Sequence, residues 1–298
     1  MSLNLISAPL LSERTTLRLG GPALAEAVVS SPAGLDQLAA RLPGLGGRPL
    51  ALGAGSNLLA ADKQHALVLV RPDATFALRF IPQADGATLV RAPAGLGLPR
   101  FLGLTQRLGL TGLEGLTGVP GHMGGVVAMN AGSYGVEIGR LVSRVRLWTP
   151  SLGLFWREST DCVFGYRHFD PTLGGVFWLV WEVELVLRSD SPEAIRQRME
   201  ASYAKKKASQ PVTAHSAGCV FKNPAGLPAG MGAGKLLDEA GLRGRKLGGM
   251  AFSDKHANFL VNEGGGTAAQ ALELLELGRT TVRDRFGVTL ETEVVVLA

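Results

Sequence analysis

Residues 112–135 read Gly-Leu-Glu-Gly-Leu-Thr-Gly-Val-Pro-Gly-His-Met-Gly-Gly-Val-Val-Ala-Met-Asn-Ala-Gly-Ser-Tyr-Gly, and the rest of the chain is arranged around them. Eight of these 24 residues are glycine, and no Asp, Glu, Lys or Arg occurs between Gly115 and Val136. An uncharged run of this kind is either a membrane span or a buried loop. The glycines and Pro120 would interrupt a helix repeatedly, and a span must satisfy its own backbone hydrogen bonds. The stretch therefore reads as a loop pressed against something large and polar. Its backbone N–H groups, with no side chains between, can approach an anion closely.

The totals agree with an anionic ligand. A chain of 298 residues, 46% hydrophobic and 18% charged, reads as globular with two or three domains. Forty glycines are about twice the ordinary share and imply many tight turns or ligand-hugging loops. A net charge of +5 suits a nucleotide diphosphate. Nucleic acid fits less well, because the basic residues are scattered and the one cluster, Lys205 to Lys207, has only Tyr203 beside it. That cluster reads equally as a solvated helix face. Two cysteines, Cys162 and Cys219, give neither a disulfide framework nor a zinc site and point to a reducing compartment. The start, Met-Ser-Leu-Asn-Leu-Ile-Ser-Ala-Pro, lacks a basic head and an apolar core, so neither signal peptide nor membrane anchor is expected.

Outward from the glycine-rich stretch, the elements alternate. Ala25 to Ser30 reads as a strand, and Ser31-Pro32 opens a helix through Leu42. A strand from Pro49 to Gly53 runs into Gly53-Ala54-Gly55-Ser56-Asn57, in outline a phosphate cradle and equally an ordinary tight turn. Leu58 stands where a Rossmann fingerprint needs its third glycine, which excludes that fold. Ala66 to Arg71 reads as a buried strand, and Thr75 to Ile81 with Ala87 to Ala92 as a hairpin about Ala84-Asp85-Gly86. A helix is expected over Pro99 to Leu108, then strands over Leu141 to Trp148, Gly153 to Trp156 and Phe177 to Leu187. Ser191-Pro192-Glu193 starts a helix to about Ser209. A short helix follows around Gly234 to Ala240, and Thr267 caps a helix to Phe286 with Leu272, Leu275, Val282 and Phe286 on one face. Gly287 ends it, and a final strand is expected over Val288 to Leu297 with Glu291 and Glu293 on one face.

Several familiar motifs fail. Gly230-Met231-Gly232-Ala233-Gly234-Lys235 has the wrong spacing for a P-loop, with Leu236 where the Mg-binding hydroxyl belongs. The five histidines are isolated, so no metal is expected, and Ser253 lies in no nucleophile elbow.

Taken together, eight segments in order resemble the UDP-N-acetylenolpyruvoylglucosamine reductases, from Thr15 to Val294. They are Thr16-x-Arg18-x-Gly20-Gly21, Gly53-x-Gly55-Ser56-Asn57-Leu58-Leu59, Gly118-x-Pro120-Gly121-x-x-Gly124-Gly125, and Met129-Asn130-Ala131-Gly132. Phe164-Gly165-Tyr166-Arg167, Gly218-Cys219-x-Phe221-Lys222-Asn223-Pro224, Lys255-His256-Ala257-Asn258-Phe259 and Leu290-Glu291-x-Glu293-Val294 complete the set.

The resemblance implies an α+β fold: an FAD-binding unit of the vanillyl-alcohol-oxidase type in two subdomains (residues 1–72 and 73–190), then a substrate-binding domain (191–298). It implies FAD and NADPH as cofactors, and reduction of the enolpyruvyl ether of a UDP-sugar to UDP-N-acetylmuramate for peptidoglycan. It also implies a cytoplasmic enzyme, expected to be monomeric, without nucleic-acid or membrane partners.

Hydride addition to the enolpyruvyl group leaves an enolate beside a carboxylate, which calls for a cation, a proton donor and a group that orients them. Arg167 aligns with the family's charge-stabilising arginine, Cys219 with its usual serine proton donor, and Glu293 with its catalytic glutamate. Gly53, Gly55, Ser56, Asn57, Gly118, Gly121, Gly124 and Gly125 would hold the FAD diphosphate, with Asn130 and Arg18 as further cofactor contacts. Lys205, Lys206, Lys222 and Asn223 would meet the UDP diphosphate. The chain departs from the pattern at Lys205-Lys206, commonly two arginines, at His122 and Met123, usually smaller or aliphatic, and at Phe169 and His215, often serine and proline. No insertion marks the longer subclass. Other readings are an FAD-dependent alcohol oxidase on the same scaffold and a nucleotide-binding module without turnover.

Overall fold

Period-two segments and capped helices fold as expected into an α+β protein; the structure, a computed structural model, describes residues 2–73, 76–228 and 230–298. Two compact units form. The first holds Met1–Ala8, Ala23–Ala54 and Ala66–Ala204, the second Pro9–Pro22, Gly55–His65 and Lys205–Ala298.

In the first unit, strands Leu3–Ser7, Ala23–Val29, His65–Pro72 and Arg48–Ala51 lie side by side in that order. Helix α1 (Pro32–Leu45) packs Leu35, Leu38 and Leu42 against Ala27, Val29, Val68 and Val70. The Ser31 hydroxyl accepts from the Gly34 N–H at 3.3 Å, and Gly46, in the left-handed region, ends the helix three residues beyond Leu42.

A larger antiparallel sheet follows the order Gly153–Glu158, Val142–Thr149, Leu179–Ser189, Thr88–Pro93, Arg79–Pro82. The hairpin about Asp85 forms, although its first strand begins only at Arg79; Thr75 lies outside the described residues. One face carries Val90, Val145, Val183 and Leu185 and packs against α2 (Leu98–Arg107) and α3 (Met123–Ala128). The other face carries a charged cluster. Glu184, 1% exposed, is held by Arg91 and Arg144, whose guanidiniums stand 5.1 and 4.5 Å from the Trp156 ring. Helix α4 (Pro192–Ser209) then leads out of this unit.

Helix α3 corrects the expectation of a plain loop through residues 112–135. Met123, Val126 and Val127 are buried, and that burial outweighs the propensity cost of Gly124 and Gly125. Gly124 is needed for close packing, since a Cβ there would lie 2.9 Å from the Ala94 Cβ.

The second unit is built on the antiparallel strands His215–Cys219, Phe259–Asn262, Met250–Phe252 and Lys246–Leu247, with α5 (Ala233–Glu239) and α6 (Ala268–Phe286) packed on them. Thr267 and Gln270 form a reciprocal capping box, and Gly287 ends α6. The buried face of α6 is Ala271, Leu274, Leu275, Gly278 and Val282, whereas Leu272 and Phe286 are half-buried. Small residues decide this. Gly278 lets the helix approach Phe252, Leu237 and Phe221, each 3.1–3.2 Å from where its Cβ would stand.

The long final strand is also corrected. Only Val295–Leu297 is strand, parallel to Leu58–Ala60, while residues 288–294 run irregularly with a bridge from Thr292 to Phe221. Irregular backbone there is stabilised by hydrogen bonds to a neighbouring segment instead of a sheet ladder. No helix among the described residues is long and apolar enough to cross a membrane.

Candidate functional site

In the first unit the Arg48–Ala51 strand delivers Gly53 and Ala54 beside the glycine-rich stretch: a Cβ on Gly53 would lie 3.7 Å from that of His122. The N–H groups of Gly53, Ala54, Gly118, Gly121 and His122 have no acceptor among the described residues. Gly118 and Gly121 have φ of 80° and 132°, values that require glycine. Unpaired donors on bare backbone fit an anionic group such as a diphosphate. Gly125 also faces open space, but Gly124 spends its N–H on the Ala94 carbonyl at 2.8 Å, so its part is packing. The His122 ring carries a buried Nδ1 without a partner, and burial, then the charge of Arg71, pushes its pKa down. A neutral imidazole therefore borders the cradle.

In the second unit four site segments are laced together. Gly55, at φ 62°, sits where a Cβ would overlap the Arg14 carbonyl, and its own carbonyl accepts from the Thr16 N–H at 3.2 Å. Thr16 Oγ1 donates to the Ser216 carbonyl at 2.6 Å. Asn57 Nδ2 donates to the Glu293 carbonyl at 3.1 Å, and the Glu293 N–H donates to the Val220 carbonyl at 2.8 Å. This last bond, with the bridge between Phe221 and Thr292, sets the Glu293 backbone beside the strand that ends in Cys219. A register shift between Ser216 and Cys219, with Gly218 at φ 78°, re-aims the cysteine at the strand end.

Asn258, 2% exposed, braces this strand from the other side. Its Oδ1 accepts from the Phe221 N–H at 3.0 Å and its Nδ2 donates to the Phe221 carbonyl at 2.8 Å. An open cavity of about 730 Å³, lined by Thr15, Thr16, Arg18 and His215 among others, adjoins these segments.

The residues expected at the UDP diphosphate divide. Lys205 is exposed, but Lys206 is 2% exposed, and burial pushes its ammonium down to about 8. Lys222 Nζ lies 3.5 Å from Glu291, half in solvent. The Asn223 Oδ1 accepts from the Ala233 N–H at 3.0 Å, where α5 begins.

Arg167 occupies the two-residue turn between Val163–Gly165 and His168–Asp170, with φ 54°. Its guanidinium lies 5.1 Å from the Tyr166 ring. Asn130, expected at the cofactor, instead turns its side chain inward, to the Gly165 carbonyl and the Gly139 N–H. Arg18, Asn130 and Arg167 all hold left-handed backbones at φ 57°, 39° and 54°, conformations that cost non-glycine residues roughly 1–2 kcal/mol and cluster where function demands them. Phe169, in place of the usual small hydroxyl, packs 4.9 Å from Phe164 and 5.5 Å from Trp178, measured between ring centroids.

Sequence reasoning gave no part to Thr16, Asn258 or Gly139. The first two stand in quoted motifs, and that membership is the available signal. Nothing in the sequence marks Gly139.

Comparison with known proteins agrees with this geometry. Residues 210–297 match the family model of the UDP-N-acetylenolpyruvoylglucosamine reductase C-terminal domain. The chain is 48% identical to the UDP-N-acetylenolpyruvoylglucosamine reductase of Nitratidesulfovibrio vulgaris over 99% of both chains. It is 47% identical to that of Oleidesulfovibrio alaskensis over 97% of both. The crystal structure of the UDP-N-acetylenolpyruvylglucosamine reductase from Thermus caldophilus superposes with a TM-score of 0.81 at 32% identity, covering 99% of each chain. With the cradle, the Cys219 strand and the Glu293 segment on one chain that matches these enzymes end to end, the protein belongs to the UDP-N-acetylenolpyruvoylglucosamine reductase family.

Proposed function

We propose that the protein reduces the enolpyruvyl ether of UDP-N-acetylglucosamine to UDP-N-acetylmuramate, a step in peptidoglycan precursor synthesis in the cytoplasm, using NADPH and FAD. When bound, FAD would take hydride from NADPH and supply it to the methylene carbon of the enolpyruvyl group. The residues of this chain do the rest. The unpaired N–H groups of Gly53, Gly118, Gly121 and His122 fit the FAD diphosphate, with Gly55 and Ser56 continuing the run. Arg167 offers a planar fork to the substrate carboxylate and to the enolate charge that builds next to it. Cys219 gives its proton to the carbon bearing that carboxylate; a thiol releases a proton more readily than a hydroxyl. Glu293, whose backbone is bonded to Val220 next to the cysteine, would supply the orienting carboxylate, and exposed Lys205 with Lys222 would attract the UDP diphosphate.

The observation that carries this reading is the bond from the Glu293 N–H to the Val220 carbonyl, which brings the glutamate segment against the cysteine strand. The test is stopped-flow reoxidation of the NADPH-reduced flavoprotein by the enolpyruvyl nucleotide and, separately, by O₂. Fast reoxidation by the nucleotide is expected. Reoxidation by O₂ alone would establish an oxidase, and a colourless protein without flavin would refute all the flavin readings. Cys219→Ala should leave NADPH bleaching intact while slowing reoxidation roughly 10²-fold or more. Equal slowing of both halves would remove the donor role from Cys219.

A further inference from the structure

Asn130 stands two residues beyond the end of α3, is 3% exposed, and holds φ 39°. Its Nδ2 donates to the Gly165 carbonyl at 2.8 Å, and its Oδ1 accepts from the Gly139 N–H at 2.9 Å. Gly165 pairs with His168, so the two residues between them, Tyr166 and Arg167, form the whole of a tight turn. The second of these carries the left-handed φ, the position where a type II turn demands it and where arginine is strained. Holding the carbonyl that enters the turn fixes the peptide plane from which Arg167 projects.

The packing around the clamp is equally specific. A Cβ on Gly139 would come within 2.5 Å of the Phe164 ring and 2.7 Å of the Asn130 Oδ1, so Asn130, Gly139 and Phe164 interlock only with glycine at 139. Gly132, two residues after Asn130, supports the guanidinium itself: Arg167 Nη1 lies 3.3 Å from where its Cβ would stand. Backbone next to Asn130 thus carries one face of Arg167, while the Tyr166 ring lies 5.1 Å from it.

We infer that Asn130 is a positioning residue for Arg167 and not a cofactor contact. It fastens the Tyr166-Arg167 turn to the end of α3, whose other end borders the diphosphate cradle, so the guanidinium is indexed to the cofactor-holding segment. The inference rests on the reductase reading, in which Arg167 meets the substrate carboxylate.

Asn130→Asp separates the two roles. It is isosteric and keeps an acceptor for Gly139, but it sets a carboxylate oxygen against the Gly165 carbonyl in place of the donor. The purified variant is expected to retain its flavin and to be bleached by NADPH at the native rate. Its reoxidation by the enolpyruvyl nucleotide should slow roughly 10–100-fold, the scale of a misplacement near 1 Å. Combined with Arg167→Ala it should be no slower than Arg167→Ala alone. Loss of flavin, equal slowing of bleaching, or full multiplication of the two effects would overturn the inference. If Asn130→Asp does not fold, Asn130→Ala, which removes the amide donor to the Gly165 carbonyl without adding a charge, should give the same split. Failure of the wild-type protein to be reoxidised by the nucleotide would refute the reductase reading itself. That outcome is read before any variant is compared.

Discussion

Lys206→Met tests the electrostatics of the last turn of α4. Lys206 is 2% exposed, and burial lowers its ammonium from the ordinary 10.5 to about 8, so the folded protein binds that proton more weakly than the unfolded chain does. Between pH 8 and 10.5 the unfolded state then holds more protons, and stability rises with pH through this window. Below pH 8 both states are charged and the full penalty stands. A shift of this size is worth about 3 kcal/mol. Methionine fills a similar volume without charge. The stability difference between variant and native protein should therefore move in the native protein's favour by up to about 3 kcal/mol as the pH rises from 7 to above 10.5. Urea unfolding of both proteins at half-unit pH steps from 7 to 11 gives the difference directly, and other titrating groups cancel in it. A flat difference curve, or one that moves in the variant's favour as the pH rises, would refute the reasoning.

Other perturbations read other links. Thr267→Ala removes the hydroxyl half of the α6 capping box and should cost about 1 kcal/mol in chemical denaturation, whereas Thr267→Ser should cost much less. Glu184→Ala takes from Arg91 and Arg144 the carboxylate they share; because both remain partly exposed, the expected loss is about 2 kcal/mol, and high salt should reduce it. Asn57→Ala frees the Glu293 carbonyl and should cost about 1 kcal/mol of stability while slowing nucleotide-driven flavin reoxidation more than NADPH bleaching. Cys219→Ser should keep much of the turnover, measured as steady-state NADPH consumption, since a hydroxyl can replace the thiol as donor.

Much of this was legible because the determinants are local. Ser31-Pro32, Thr267 and Gly287 mark helix ends through bonds spanning three or four residues, and the structure keeps each. The glycines at 118 and 121 announced bare backbone, and their N–H groups are unpaired. What escaped depends on partners distant in sequence. The C-terminal segment alternates like a strand, but its mates are Val220 and Lys222 in one stretch and Leu58–Ala60 in another, so only three residues form a ladder. Asn130 has the chemistry of a cofactor contact. That its amide points to Gly165 is decided by a hairpin 35 residues away. Lys206 is indistinguishable from Lys205 and Lys207 by composition, and only the position of α4 buries one and exposes two.

The parallel pairing of Val295–Leu297 with Leu58–Ala60 also bears on how the chain is made. Pro9–Pro22 and Gly55–His65 leave the ribosome early, yet the strands, helices and bridge that complete their unit all follow Lys205. During synthesis these two segments must wait, solvated, while the first unit, whose segments end at Ala204, can fold around the gaps they leave. Apolar Leu17, Leu19 and Leu59 are exposed for that interval, which makes the nascent chain a client for a holding chaperone. Glu293 also follows Lys205, so under the proposed function a ribosome stalled between them would present the bare backbone of Gly53, Gly118 and Gly121 without the carboxylate proposed to act with it.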